Sequence, residues 1–256
     1  MIEKIEKLNR EFNIHYRACI SSLIYLLSTI LDLSFAVHKL EIFSSNPGKL
    51  HFEGLVHILR YIKYNKNLVL KYYSDMNDTP VSEILRQASI KTENQLMGFS
   101  DSSWKYCPDT GRSTGSCIIF YQCGSIDHGT HVPVPVSQSS AESEYNAACT
   151  AGMALAYFRM LIHEFLNKDP EIVIEKYPLI ILDSKSAVCM ANNGKDTKHT
   201  SHIARRMHFV RNDEKFNMHQ IYWCKGSLQL ADISTKNVGE HDLTPRMKYI
   251  MVRLNN

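Results

Sequence analysis

Apolar residues recur at helical intervals in the first third of the chain and at strand intervals afterwards, and this change of period divides the sequence. Residues 16–31 and 49–64 have helical spacing, the second through Leu50, Leu55, Ile58, Leu59 and Ile62, with Asn46-Pro47-Gly48 breaking the chain between them. The most apolar stretch, 18–37, is interrupted by Ser21, Ser22, Ser28, Thr29 and Asp32, which predicts a buried helix pair and no membrane span. A polar, turn-rich run, Ser74-Asp75-Met76-Asn77-Asp78-Thr79-Pro80, closes this part, and periodicity fades over 81–94. The expected organisation is a small, mainly helical subdomain over residues 1–80, a linker over 81–94 and a second domain over 95–256.

In the second domain, residues 96–101, 116–121 and 132–136 read as three short strands joined by polar loops. Ser139-Ser140-Ala141-Glu142 is a capping box, and the stripe Ala148, Ala151, Leu155, Phe158, Ile162, Phe165 carries a long helix on to about residue 167. Residues 177–182 form an apolar run short enough for a buried strand, ending at Asp183 before a short helix through Met190. A helix over 201–214, a last strand over 220–224 and a final helix starting near Leu228 complete the order. Three strands, helix, strand, helices, strand and helix describe an α/β fold, a mixed sheet with helices on its faces.

Composition adds limits. The 256 residues suffice for one large or two modest domains, and a net charge of +3 is too small to identify a polyanionic partner. Seven cysteines without a C-x-x-C pair argue against a disulfide framework or zinc ribbon and for reduced thiols in an intracellular setting. Residues 1–13 alternate acidic and basic side chains and lack the pattern of a secretory signal. The helical part contains no Tyr-x-Asp-Asp sequence, so it is not a complete polymerase.

Chemistry is expected at the carboxyl ends of strands in such a sheet. Asp101 closes the first strand and Asp183 the fourth, and they share one edge if those strands are parallel neighbours. On the long helix, Glu142 and Glu144 are separated by roughly 200° of rotation. Glu144 continues the buried stripe through Ala148, whereas Glu142 sits where it can cap a free N–H. Asp232 lies among Leu230, Ala231 and Ile233, an apolar setting where an unpaired carboxylate is costly. Any one of these acids taken alone is more often structural than catalytic. Together they would repel unless hard divalent cations neutralised them, and oxygen-only ligation suits Mg2+ or Mn2+. Two such ions, roughly 3.5 to 4 Å apart, hydrolyse phosphodiesters by clamping the attacking and leaving oxygens.

Four blocks then carry a family resemblance: Phe99-Ser100-Asp101-Ser102-Ser103-Trp104, Asp109-Thr110-Gly111-Arg112-Ser113-Thr114, Ser139-Ser140-Ala141-Glu142-Ser143-Glu144-Tyr145 and Leu230-Ala231-Asp232-Ile233-Ser234-Thr235-Lys236. In this order they resemble the ribonuclease H of copia-type retrotransposon Pol polyproteins. Lys198-His199-Thr200-Ser201-His202-Ile203, with Arg206, His208, Phe209 and Arg211, resembles a further block of that family. Upstream, Tyr16-Arg17-Ala18, Ser45-Asn46-Pro47-Gly48-Lys49 and Leu59-Arg60-Tyr61-Ile62-Lys63 look like the tail of the reverse transcriptase that precedes it. The resemblance covers nearly the whole chain.

It implies a ribonuclease H-like mixed five-stranded sheet with flanking helices, in which Asp101, Glu144, Asp183 and Asp232 are catalytic and hold two Mg2+ or Mn2+ ions. It also implies cleavage of the RNA strand of RNA:DNA hybrids, an upstream reverse transcriptase core as partner, and work in a cytoplasmic virus-like particle and in the nucleus. An integrase on a similar sheet would order its acids Asp, Asp, Glu, which this chain does not. A catalytically dead remnant that only binds nucleic acid or packs on a polymerase is the rival reading.

The chain departs from the family pattern in three places. Cys224-Lys225-Gly226-Ser227-Leu228 leaves no room for the histidine loop of cellular ribonucleases H, residues 126–136 replace the usual tryptophan-and-lysine strand, and Thr29 to Asp32 departs from an arginine-proline-aspartate turn. Lys198, Arg205, Arg206 and Arg211, with Lys195, form a basic run suited to phosphate contacts or simply to a solvated helix face. His199, His202 and His208 fit no standard zinc spacing. Trp104 and Trp223 adjoin apolar strand ends and read as core, with stacking on a nucleotide as the alternative. Ser102 and Ser184 lack a histidine partner for hydrolase chemistry.

Overall fold

The computed structural model describes residues 2–73, 79–90, 96–104, 111–122, 124–132, 137–166, 178–192 and 219–254. It separates into two compact units, one of residues 1–70 with 251–256 and the other of 71–250.

The first unit is helical: α1 (Ile2–Phe12), α2 (Tyr16–Leu26), α3 (Ser34–Glu41) and α4 (Lys49–Tyr64). Their apolar stripes meet in a core of Leu8, Tyr16, Ile20, Leu23, Leu33, Val37, Phe52, Leu55 and Ile58. The apolar stretch 18–37 breaks at a 3-10 turn, Leu31–Leu33, into α2 and α3, and no described helix is long and apolar enough to cross a membrane. Within this turn Asp32 accepts a hydrogen bond from the Tyr61 hydroxyl of α4. Strand β1 (Leu68–Leu70) pairs antiparallel with β7 (Met251–Arg253), so the extreme C-terminal strand belongs to this unit and not to the second. Sequence spacing missed that return because a three-residue strand carries no periodic signal.

The second unit begins before residue 95. Where a linker was expected, α5 (Pro80–Gln87) forms, with the Thr79 hydroxyl accepting from the Ser82 N–H at 3.0 Å and Pro80 in the first turn. Eight residues are too few to display the helical repeat, although Val81, Ile84 and Leu85 are all fully buried.

Its sheet has the order β4-β3-β2-β5-β6. Strands β2 (Leu96–Ser103), β3 (Thr114–Tyr121) and β4 (Gly124–His131) form an antiparallel meander, while β5 (Leu179–Leu182) and β6 (Gln220–Trp223) run parallel to β2. The third strand is therefore residues 124–131, not the expected 132–136, of which 133–136 lie outside the described residues. Gln122, with φ of 47°, takes the left-handed conformation directly after β3 and turns the chain early. An edge strand needs pairing on one side only, so a polar sequence serves there, whereas Pro133 and Pro135 cannot donate to a ladder.

The long helix α6 (Ser140–Leu166) packs on β2, β3 and β5. Its Tyr145, Ala148, Ala151 and Leu155 meet Leu96, Cys117, Ile119, Ile180 and Leu182. Gly98 permits the close approach, since a Cβ there would stand 3.0 Å from Ile119 and 3.5 Å from Leu155. After β6 the chain forms a 3-10 turn (Gly226–Leu228), a single helical turn (Asp232–Thr235) and a helix (Glu240–Met247), in place of the one final helix expected from Leu228. The expected helix over 201–214 lies outside the described residues.

Candidate metal centre

Strand alternation places Asp101 on the same face of β2 as Phe99, and the parallel register pairs Phe99 with Ile181. Two residues further on, Asp101 and Asp183 stand level at neighbouring carboxyl ends. This is the shared edge expected of them.

Glu144 arrives from the first turns of α6. Ser139 caps that helix through its hydroxyl, which accepts from the Glu142 N–H at 3.1 Å, and Glu142 in turn accepts from the Gln138 N–H at 2.8 Å. Glu142 is thus a cap, as its phase on the helix indicated. Glu144, half a turn round, reaches the sheet, where its carboxylate accepts from the backbone N–H of Ser102. A Ser102–Ser143 hydroxyl pair ties helix to strand beside it.

One carboxylate oxygen from each of Asp101, Glu144 and Asp183 lies within 4.8 Å of the others. Asp101 is fully buried and Glu144 is 8% exposed. Burial first, then the charges of Asp101 and Asp183, push Glu144 up to about 10, against the opposing pull of Lys236. Burial and then Asp101 likewise raise Asp183. Glu144 Oε2 is buried and has no hydrogen-bond partner among the described residues. A buried, orphaned carboxylate oxygen facing two more acids is the environment that a hard divalent cation satisfies, so these three residues fit Mg2+ or Mn2+.

Asp232 is nearby but outside that trio. It opens the single helical turn Asp232–Thr235, where Lys236 Nζ lies 2.6 Å from Oδ1 and Arg246 Nη2 3.1 Å from Oδ2. Burial, then Asp101, raise Asp232 to about 6, with Lys236 opposing. Lys236 also approaches Asp101 Oδ2 at 3.3 Å, and the Thr235 hydroxyl donates to the same oxygen. Thr235 and Lys236 close the last of the four family blocks, where the sequence alone assigns them no role. The i, i+4 spacing of Asp232 and Lys236 was a usable signal. Nothing in the sequence pointed to Arg246, whose partner lies 14 residues away.

Gln229 was also missed. It is fully buried, and its Nε2 donates to the carbonyls of Ser100 at 2.9 Å and Ile181 at 3.4 Å while Oε1 accepts from the Ala231 N–H at 3.2 Å. One side chain thereby joins β2, β5 and the segment bearing Asp232. Gly226 fits tightly under Asp183, since a Cβ there would come within 3.3 Å of Oδ2.

Both tryptophans are 38% exposed and not core. Trp223 donates to the Asp183 carbonyl at 2.7 Å and carries Lys185 4.6 Å above its ring, while Trp104 donates to the Ser137 carbonyl at 3.1 Å. Each indole satisfies its N–H on a backbone carbonyl, which holds the ring at the rim of the sheet. Lys195, Lys198, Arg205, Arg206 and Arg211, with His199, His202 and His208, lie outside the described residues.

A mixed five-stranded sheet of this order, covered by a long helix and bearing acids at the carboxyl ends of its central strands, defines a ribonuclease H-like α/β domain. The chain is 26% identical over 223 residues to the Retrovirus-related Pol polyprotein from transposon RE1 of Arabidopsis thaliana, a match covering 86% of this chain and 14% of that protein. It is 24% identical over 208 residues to the Retrovirus-related Pol polyprotein from transposon TNT 1-94 of Nicotiana tabacum, covering 81% and 14% respectively. The chain is a homologue of the retrovirus-related Pol polyproteins of transposons and spans 14% of the length of these relatives. No family model matches it. Among solved structures, RNase H1 from the halophilic archaeon Halobacterium salinarum NRC-1 superposes with a TM-score of 0.39 at 13% identity, over 53% of this chain and 89% of that one. So loose an overlay decides nothing, and the sheet order carries the fold class.

Proposed function

We propose that the second unit is a divalent-metal-dependent endoribonuclease that hydrolyses the RNA strand of RNA:DNA hybrids within a transposon Pol polyprotein. The observation that carries this reading is the convergence of Asp101, Glu144 and Asp183 to within 4.8 Å. A bound Mg2+ or Mn2+ supplies Lewis-acid activation of water and charge for the departing oxygen. The chain's own residues do the rest. Asp101 and Asp183, fixed at adjacent strand ends, present oxygens from a rigid sheet, and Glu144 closes the site from α6. The Thr235 hydroxyl and Lys236 hold Asp101 in one orientation.

Selection of a hybrid rests on 2′-hydroxyl contacts to one strand and shape on the other. Lys198, Arg205, Arg206 and Arg211 are assigned phosphate contacts of sequence-independent character. The helical first unit is read as the tail of a reverse transcriptase whose core lies upstream and is the natural partner. An intracellular setting, cytoplasmic and nuclear, belongs to the same reading, with Cys117, Cys149 and Cys224 buried as free thiols.

Incubating the full chain with an end-labelled RNA:DNA hybrid and Mg2+ tests the proposal, with Asp183→Asn in parallel. Cleavage of the RNA strand alone by the intact chain, lost in the variant, is expected. Retention of the hybrid without any cut by the intact chain supports the rival, a remnant that only binds nucleic acid.

A further inference from the structure

The four acids fall into two groups that have different needs. Glu144 Oε2 is buried without a hydrogen-bond partner among the described residues, so its group requires a cation from outside. Asp232 requires none, because each of its oxygens already meets a protein cation.

Those two cations are held differently. Arg246 is 13% exposed and is anchored by its own bonds, Nε to the Gln229 carbonyl at 3.2 Å and Nη2 to the Gly226 carbonyl at 3.1 Å. It is a fixed counter-ion of Asp232. Lys236 is 40% exposed and enters from the solvent side, with its ammonium 2.6 Å from Asp232 and 3.3 Å from Asp101. That ammonium sits between the two carboxylates that would have to share a second divalent ion.

Charge points the same way. Lys236 already sets one positive charge between Asp101 and Asp232, and Arg246 sets a second beside Asp232. A second divalent ion would have to displace Lys236 from the closest ion pair in the site, next to the fixed charge of Arg246.

We propose that the Lys236 ammonium permanently holds the cation position between Asp101 and Asp232, so that the chain loads a single divalent ion, at Asp101, Glu144 and Asp183. This replaces the pair of ions expected from the sequence. It deepens the nuclease reading, on which it rests for its chemical purpose, and makes Lys236 a positioning residue that orients Asp101 toward the one bound ion.

Manganese ions bound per full chain, counted from the electron paramagnetic resonance of free Mn2+ during titration, test this directly. The intact chain is expected to bind one ion, Lys236→Met two, and Lys236→Arg, which retains the charge, one again. Asp183→Asn is expected to lose the ion of the intact chain. Zero or two ions on the intact chain overturn the assignment, as does a single ion on Lys236→Met whose circular dichroism matches the intact chain. Lys236→Gln serves the same comparison if the methionine variant fails to fold. Hybrid cleavage scored in the same samples separates the two claims. One bound ion without cleavage removes the nuclease reading and leaves the Lys236 assignment standing, whereas cleavage with two bound ions does the reverse.

Discussion

Gln229 donates to the carbonyl of Ser100 at 2.9 Å, so the residue three before Asp232 is bonded to the residue one before Asp101. Acids 131 positions apart in the sequence are thereby brought to one place by a neutral side chain with no exposed surface. Replacing it by alanine removes two donated bonds and one accepted bond in a buried setting. Gln229→Ala is expected to lower stability by roughly 1 to 3 kcal/mol in urea denaturation. Hybrid cleavage should fall further than the unfolded fraction explains, since Asp232 and its cations lose their tether. Unchanged urea midpoints would show that the bonds contribute nothing.

Glu144 ties stability to pH in an unusual direction. A carboxyl whose folded pKa is raised from its ordinary 4.5 to about 10 keeps its proton in the fold while the unfolded chain releases it. The folded state then binds more protons between these two values, so metal-free stability falls as pH rises from about 4.5 toward 10. Glu144→Gln should remove much of that slope, raise the melting temperature of the metal-free protein at neutral pH and abolish the gain on adding Mg2+. A variant that melts lower than the intact chain without metal contradicts this account.

His219 acts at the acid end. Burial lowers it from 6.5 to about 4, so the fold resists its protonation. The unfolded chain binds the extra proton between those values, and stability present above pH 6.5 is lost as pH falls toward 4, on the order of 3 kcal/mol in all. His219→Leu should flatten thermal stability over that window while leaving the slope due to Glu144 in place. An intact acid transition in the variant would assign the loss to other groups.

Gly226 lies beneath Asp183, where a Cβ would stand 3.3 Å from Oδ2. Gly226→Ala must displace either the turn or the carboxylate. Binding of Mn2+ is expected to weaken by roughly tenfold, the scale of disturbed support around a metal ligand. The melting temperature of the metal-free protein should move little. Equal loss of both would mean that the turn itself had unfolded.

Local chemistry was enough to read much of this protein from its residues. The capping box at Ser139 and the stripe through Ala148 and Leu155 determined where α6 starts, which face it buries and which of two neighbouring glutamates points inward. Apolar runs ending in an acid located β2 and β5, and with them Asp101 and Asp183. These features are set by periods of two and 3.6 residues, which a sequence displays directly.

Other features depend on pairings over long distances, which no period records. Gly124–His131 is a strand because β3 offers it an edge, Pro80–Gln87 is a helix because Val81, Ile84 and Leu85 find a core, and Met251–Arg253 returns to the first unit because β1 is there to receive it. The division of the acids is of the same kind. Sequence assembled four carboxylates, and only the meeting of Asp232 with Lys236 and Arg246 set one apart from the three that converge to within 4.8 Å, because neutralisation depends on distance in space.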